Sequence, residues 1–173
     1  MQRIIQTLTP PLAPLAADLL DCALDGARLN FGVDGYLRPA LITGNYSTDK
    51  PGAVVVLPNM IPENKPAITA FINQQRRQND ICALVVECWQ SILPRSEFAN
   101  AYQGRITPPS EDPNRTECVM VTLYEGGRIV AFIAEITRQD NGAPTLGDWW
   151  VWHDTAATTR PLVGNFAAPA EVN

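Results

Sequence analysis

Three charged residues near the middle of the chain have the types and spacing of a carboxylate and arginine site. Glu87 and Trp89 end an apolar run, and Arg115 and Glu117 follow a long polar segment. Because side chains alternate across a strand, each pair shares a face, and antiparallel pairing of the two segments brings the charges together. A buried carboxylate beside an arginine can bind a ligand or hold a water as a base, and crowding two carboxylates raises one pKa. Alternatively, Arg115 only neutralises a carboxylate and fastens the long segment to the sheet.

A metal ion is the second kind of ligand to consider. The donors available are Glu87, Glu117, Glu135, His153 and Asp154. No pair of them has a recognised ligand spacing such as HExxH, and the chain contains neither a GxxxxGK[ST] nor a GxGxxG loop for a nucleotide. We therefore predict no metal and no cofactor, with the single histidine exposed at a strand end.

Nucleophilic catalysis requires a nucleophile that a base orients. Ser91, Ser96 and Ser110 lie in or near the irregular segment, but none occupies a GxSxG turn. His153 would have to act as the base from a distant strand, and alternation places Cys88 on the face opposite to the carboxylates. These patterns favour a non-catalytic protein over an enzyme.

Three tryptophans near the C-terminus, Trp149, Trp150 and Trp152, form the densest aromatic group of the chain. Alternation puts Trp150 and Trp152 on one face of a strand and Trp149 on the other, so one set is exposed unless a helix or the tail covers it. Tryptophan concentrates binding energy at protein interfaces. We therefore predict that this strand binds a protein partner or a second copy of the chain, with core packing under the tail as the alternative.

The four cysteines indicate the redox environment. Cys22, Cys82, Cys88 and Cys118 lack the paired spacing of a zinc site, and Cys82 and Cys88 are too far apart along one strand to bridge. We predict reduced thiols in a cytoplasmic protein, with a bridge between Cys88 and Cys118 on adjacent strands as the alternative.

The composition limits the classes of partner. The chain has 173 residues, of which 46% are hydrophobic and 18% charged, as is typical of one folded domain. A formal net charge of -5 disfavours binding to the phosphate backbone of nucleic acid. Apolar runs are too short for a membrane span, and Pro10, Pro11 and Pro14 interrupt the N-terminal stretch. We therefore expect neither a nucleic-acid nor a membrane partner.

The elements that must position these residues are organised around the apolar run Ile81–Trp89, which predicts a central strand covered on both faces. Pro39, early in the first predicted strand, places that strand at an edge or bulge. A crossover through the second helix makes the second strand parallel to the central one. The predicted elements are a helix over Pro14–Leu29, strands over Tyr36–Thr43 and Ala53–Leu57, a helix from Pro66, and strands over Ile81–Trp89, Glu117–Tyr124, Arg128–Thr137 and Asp148–Trp152.

This order, α-β-β-α-β-β-β-β, predicts an α+β domain with two main helices and a mixed, largely antiparallel sheet of about six strands. The domain would cover residues 1–154, with an N-terminal arm over 1–13 and a tail over 155–173 that is draped on the domain or partly mobile.

For function, the sequence predicts a small non-catalytic protein-interaction or self-associating domain that acts through Trp149–Trp152, with a protein partner or itself as a homodimer. The alternative is a small-ligand-binding protein or a hydrolase-type enzyme with a site at Glu87, Arg115 and Glu117. The first hypothesis needs exposed tryptophans, and the second needs an open pocket in which the three charges converge.

Overall fold

The computed structural model describes residues 5, 8–48, 50–61, 63–91, 111–139 and 142–154, without the side chains of residues 50, 51 and 153. The main elements within these residues are α1 (Pro14–Asp34), β1 (Ala40–Asn45), β2 (Lys50–Val56), α2 (Lys65–Gln78), β3 (Ile81–Gln90), β4 (Thr116–Glu125), β5 (Arg128–Thr137), β6 (Thr145–Leu146) and β7 (Trp150–Asp154). The predicted α+β class and order of elements are confirmed, and the short strand β6 is an addition.

The strands form one sheet in the order β2-β1-β3-β4-β5, and β6 and β7 both pair with β5. Every pair is antiparallel. β2 and β3 therefore run in the same direction, as the crossover predicted, although β1 lies between them. The residues of β3 from Ile81 to Val86 are all buried, which agrees with a central strand covered on both faces.

Of the two settings predicted for the first strand, an edge or a bulge, the edge is wrong, because β1 lies between β2 and β3, whereas its register with β2 does shift between Ile42 and Gly44. Pro39 comes directly before the strand begins at Ala40, so its missing N–H removes no bond from the ladder. Its carbonyl accepts a hydrogen bond from the Leu57 N–H at 2.7 Å. Proline thus marks the start of an interior strand here.

Helix α1 covers one face of the sheet, which we call the α1 face. Its apolar residues recur every three or four positions and pack on alternate residues of the central strands. Phe31 continues this buried stripe beyond the predicted end at Leu29. The helix ends at Gly35, whose φ of 71° allows its N–H to bond the Phe31 carbonyl at 2.8 Å.

Helix α2 covers part of the opposite face, which we call the α2 face. Its buried residues are Ile68 and Ile72, which pack on Cys82, Leu84 and Val86 of β3. Its last turns leave the core, as the polar sequence there predicted.

Helix α1 crosses the sheet obliquely. A methyl group added at Gly44 of β1 would lie 3.1 Å from Leu19 Cδ1, so the first half of the helix lies over β1. Towards its end, the Arg28 guanidinium donates to the carbonyls of Leu146, at 3.2 Å, and Gly147, at 2.7 Å, beside β6. The helix therefore moves away from β1 and β2 along its length.

The N-terminal arm docks on the domain where it is described. Ile5, Leu8 and Leu12 are buried in the same cluster as α1, and the Pro10 carbonyl accepts a hydrogen bond from Arg128 at 2.6 Å. The predicted tail over residues 155–173 lies outside the described residues.

Candidate functional site

Glu87 and Glu117 come together on the α1 face, at the end of the sheet where β3 finishes and β4 begins. The register places Trp89 directly opposite Glu117, and Glu87 opposite Val119. This is the antiparallel arrangement that the spacing of the charged residues predicted.

The guanidinium that binds both carboxylates belongs to Arg138, directly after β5. Its Nε and Nη2 donate to the two carboxylate oxygens of Glu117 at 2.7 and 2.6 Å, and Nη2 also donates to Glu87 at 2.9 Å. The spacing of the charged residues predicts Arg115 in this role and does not predict Arg138. The register of the β4–β5 hairpin is the information that identifies Arg138. Glu135 lies opposite Cys118 on one face, so Arg138, three residues later, lies on the other face together with Glu117.

Glu87 also holds the connection between α1 and β1. Its second carboxylate oxygen accepts a hydrogen bond from the Leu37 N–H at 3.0 Å, and the Leu37 side chain is buried in the α1 cluster. The chain therefore passes from the end of α1 to the start of β1 across the carboxylate pair. This contact gives the cluster a structural role.

The two carboxyl groups have different electrostatic surroundings, with Glu87 21% and Glu117 16% exposed. Burial raises the pKa of Glu87, the Leu37 N–H opposes this shift, and the neighbouring Glu117 adds to it. The Arg138 guanidinium lowers the pKa of Glu117. Glu87 therefore takes up a proton first, as one member of an acid and base pair would.

Arg115 lies at the rim of this cluster. Its guanidinium carbon is 4.5 Å from the centre of the Trp89 ring, and Trp89 is 41% exposed. Ser96, Ser110 and the His153 side chain, which were considered as nucleophiles and base, lie outside the described residues. Ser91 is described and half-buried.

Of the acidic metal donors considered above, Glu87 and Glu117 lie together, whereas Asp154 and Glu135 lie in other parts of the fold. Asp154 is buried and accepts two hydrogen bonds from Arg128, at 2.9 and 2.6 Å. Glu135 is exposed on the α2 face, opposite Cys118. Across the part of the chain that the structure describes, no three His, Cys, Asp or Glu side chains are grouped so that they could hold a metal ion.

The three tryptophans have three different surroundings. Trp149 is buried in the α1 cluster, Trp150 is 43% exposed, and Trp152 is half-buried. The register between β5 and β7 shifts between Ala131 and Phe132, so strict alternation fails at Trp152. Trp150 alone of the three presents a large exposed surface.

A second apolar surface lies at the opposite edge of the sheet. Val54 and Val56 of β2 are 67% and 61% exposed, and they lie opposite Ile42 and Ala40 on the α1 face. The helix contributes two further exposed residues, Leu29 and Val33, at 69% and 76%. We call Leu29, Val33, Val54 and Val56 the edge patch.

The helical repeat relates the two halves of the edge patch. Val33 follows Leu19 by two heptads and so lies on the flank of α1 that contacts β1, and Leu29 is one turn before Val33. Both residues therefore lie on the flank of α1 that faces the β1 and β2 side of the sheet, where Val54 and Val56 are mostly exposed among the described residues. The spacing of apolar residues does not predict this surface, because it depends on the oblique path of α1 across the sheet, which is a tertiary property.

Comparison of the chain with protein-family models, curated proteins and solved structures finds no match. No helix among the described residues is long and apolar enough to cross a membrane.

Proposed function

We propose that this chain is a non-catalytic, self-associating protein and that a second copy binds at the outer edge of β2. The observation that carries the proposal is the character of this edge. Among the described residues β2 ends the sheet, the segment 52–57 contains no charged residue, and Val54 and Val56 are mostly exposed. Proteins that remain monomeric usually protect such an edge with charges, prolines or bulges. Here Pro51 and the register shift between Ile42 and Gly44 protect only the first half of the strand.

The geometry favours antiparallel pairing of β2 with β2 of the second copy. A two-fold axis perpendicular to the sheet joins the two sheets into one and keeps both α1 helices on the same face. Main-chain hydrogen bonds then satisfy the open edge. The edge patches of the two copies meet over the new strand pair, and each square ångström of apolar surface that they bury contributes about 25 cal/mol.

A second copy suits this edge better than an unrelated strand for a chemical reason. The partner strand must be uncharged along its length and apolar on the α1 face. β2 itself has this pattern over Ala53–Val56.

The test is light scattering with size-exclusion chromatography over a concentration series, comparing the wild type with Val54→Lys/Val56→Lys. Lysine on an edge strand blocks pairing, and both positions are exposed enough to accept it. Trp150→Ser, at the opposite edge, is the matched control. We expect a wild-type dimer, a folded monomeric double-lysine variant and a dimeric Trp150→Ser variant. A wild type that is monomeric at every concentration contradicts the proposal, and dissociation by Trp150→Ser alone moves the interface to β7.

The proposal includes a cytoplasmic location, as the sequence predicted. Cys22, Cys82, Cys88 and Cys118 are all described and all are free thiols. Reduced cysteines of this kind are typical of proteins in a reducing compartment.

The second candidate function is a small-ligand site or hydrolase-type site at Glu87 and Glu117, with Arg115 at its rim. It is supported by the opposite pKa shifts of the two carboxyl groups. Against it, Arg138 already binds both carboxylates, and the Leu37 N–H also donates to Glu87. A thermal-shift screen of small polar metabolites, repeated on Glu87→Gln, tests this function. A stabilising compound whose effect disappears in the variant supports it, and the absence of any such compound contradicts it.

A further inference from the structure

Two cysteines face each other on the α2 face, behind the carboxylate cluster. Cys88 of β3 lies directly opposite Cys118 of β4, and their sulfur atoms are 3.6 Å apart. Cys118 is buried and Cys88 is half-buried. We propose that Cys88 and Cys118 form a redox-active dithiol, a modification site that low-molecular-weight disulfides such as oxidised glutathione convert to an intramolecular disulfide.

The backbone geometry permits this bridge. Directly opposed residues of antiparallel strands have Cα atoms about 4.5 to 5.5 Å apart, within the range of about 4.4 to 6.8 Å that disulfides span. The two sulfur atoms are 3.6 Å apart, and a disulfide bond is about 2.05 Å long. A small rotation of the side chains and a slight approach of the strands complete the bond.

The surroundings assign different roles to the two thiols. The hydrogen bond from Cys118 lowers the pKa of Cys88, and the same contact together with burial raises the pKa of Cys118. Cys88 is also the more exposed of the two. Cys88 is therefore the attacking thiol, and Cys118 is the resolving thiol.

The exchange proceeds in two balanced steps. The Cys88 thiolate attacks one sulfur of oxidised glutathione, forms a mixed disulfide and releases one glutathione thiolate. Cys118 then attacks the Cys88 sulfur, its proton passes to the departing glutathione thiolate, and the protein disulfide forms. One glutathione disulfide is reduced to two thiols while two protein thiols become one disulfide.

The test uses the full chain with Cys22→Ser, because Cys22 is exposed and would itself exchange with glutathione. The protein is equilibrated in mixtures of reduced and oxidised glutathione, its free thiols are alkylated, and the chain is cleaved after glutamate. This cleavage separates Cys82 from Cys88 and places Cys88 and Cys118 in peptides 88–97 and 118–125. Cys82 is the internal control, since burial raises its pKa to about 11.

We expect the two peptides to become linked, with loss of two hydrogen masses, in a fraction that rises with oxidised glutathione. Cys118→Ser should trap Cys88 as a glutathione mixed disulfide, and Cys88→Ser should leave Cys118 unmodified. Circular dichroism verifies that each variant is folded, and Cys118→Ala replaces Cys118→Ser if serine is not tolerated. The proposal is overturned if Cys88 and Cys118 stay reduced under conditions that oxidise Cys22 in the wild type.

Discussion

Glu87 and Glu117 are the same residue type and bind the same guanidinium, yet their other contacts give them opposite properties. Glu117 accepts two hydrogen bonds from Arg138. Glu87 accepts one hydrogen bond from the same guanidinium and one from the Leu37 N–H. At the residue scale, Arg138 therefore keeps two neighbouring carboxylates together against their repulsion. We therefore expect Arg138 to contribute to the stability of this end of the sheet.

Replacing Arg138 tests this dependence. Arg138→Ala should lower the free energy of unfolding by about 2 kcal/mol, because it leaves two half-buried carboxylates without their shared cation. Arg115→Ala should cost less than Arg138→Ala, because its cation–π contact with the Trp89 ring contributes about 0.5 to 1 kcal/mol and both carboxylates keep their hydrogen bonds to Arg138. Urea denaturation at neutral pH measures both. Equal losses in the two variants would show that Arg115 contributes as much to the cluster as Arg138.

The pH dependence of stability distinguishes the two carboxyl groups. The folded state raises the pKa of Glu87 above its ordinary value of 4.5. Folded protein thus binds this proton more tightly, and the contribution of Glu87 to stability falls as the pH rises from the ordinary pKa through the raised one. Relative to Glu87→Gln, the wild type should lose stability over this interval.

Glu117 should show the opposite sign, because Arg138 lowers its pKa below the ordinary value of 4.5. Its contribution is present above that value and is lost as the pH falls through the lowered pKa. Relative to Glu117→Gln, the wild type should therefore lose stability on acidification. Thermal melts of the two variants and the wild type over an acidic to neutral series measure both slopes. Parallel profiles would contradict the assignment.

At the scale of the elements, the end of α1 depends on a single glycine. Gly35 has a φ of 71°, and a methyl group there would lie 3.2 Å from Pro144 Cγ. Gly35→Ala should therefore cost about 1 to 2 kcal/mol. Gly32 is the matched control, because it lies inside α1 with open space around it. Gly32→Ala should stabilise the fold by about 0.5 to 1 kcal/mol. Chemical denaturation compares them, and a shift of the same sign in both variants would contradict this account.

The strands were more predictable from sequence than the contacts between them. Arg128–Thr137 was predicted at its observed boundaries, because a two-glycine turn fixes one end and apolar residues fill the rest. Glu87 and Glu117 were placed together by period-two alternation alone. The role of Arg138 depends on hairpin register, and the burial of Trp149 depends on the cover that α1 provides. These are tertiary relations that local spacing does not encode.

At the scale of the whole molecule, the oblique path of α1 decides which surface stays open. The helix lies over β1 near Leu19 and reaches β6 at Arg28, so no helix of the described part of the chain lies above one corner of the sheet. That corner contains the open edge of β2. In the proposed dimer, the second copy covers this corner with its own edge patch. The oblique path of α1, which exposes these apolar side chains in the monomer, thus creates a self-complementary surface.

This arrangement makes Leu29 and Val33 part of the interface although they lie on a helix and not on the pairing strand. Leu29→Ser/Val33→Ser should raise the dissociation constant of the dimer at least about tenfold. A tenfold change corresponds to about 1.4 kcal/mol, and burying one large apolar side chain contributes about that much. Both residues are exposed in the monomer, so its fold should be retained. Sedimentation equilibrium measures the constant, with Asp18→Ser, at an exposed position near the start of α1, as the control.

The melting temperature provides a further measurement, because a dimer is stabilised by mass action. It should rise with concentration in the wild type and in Asp18→Ser, rise less in Leu29→Ser/Val33→Ser, and stay constant in Val54→Lys/Val56→Lys. A Leu29→Ser/Val33→Ser protein that dimerises as tightly as the wild type would leave β2 pairing in place but remove α1 from the contact.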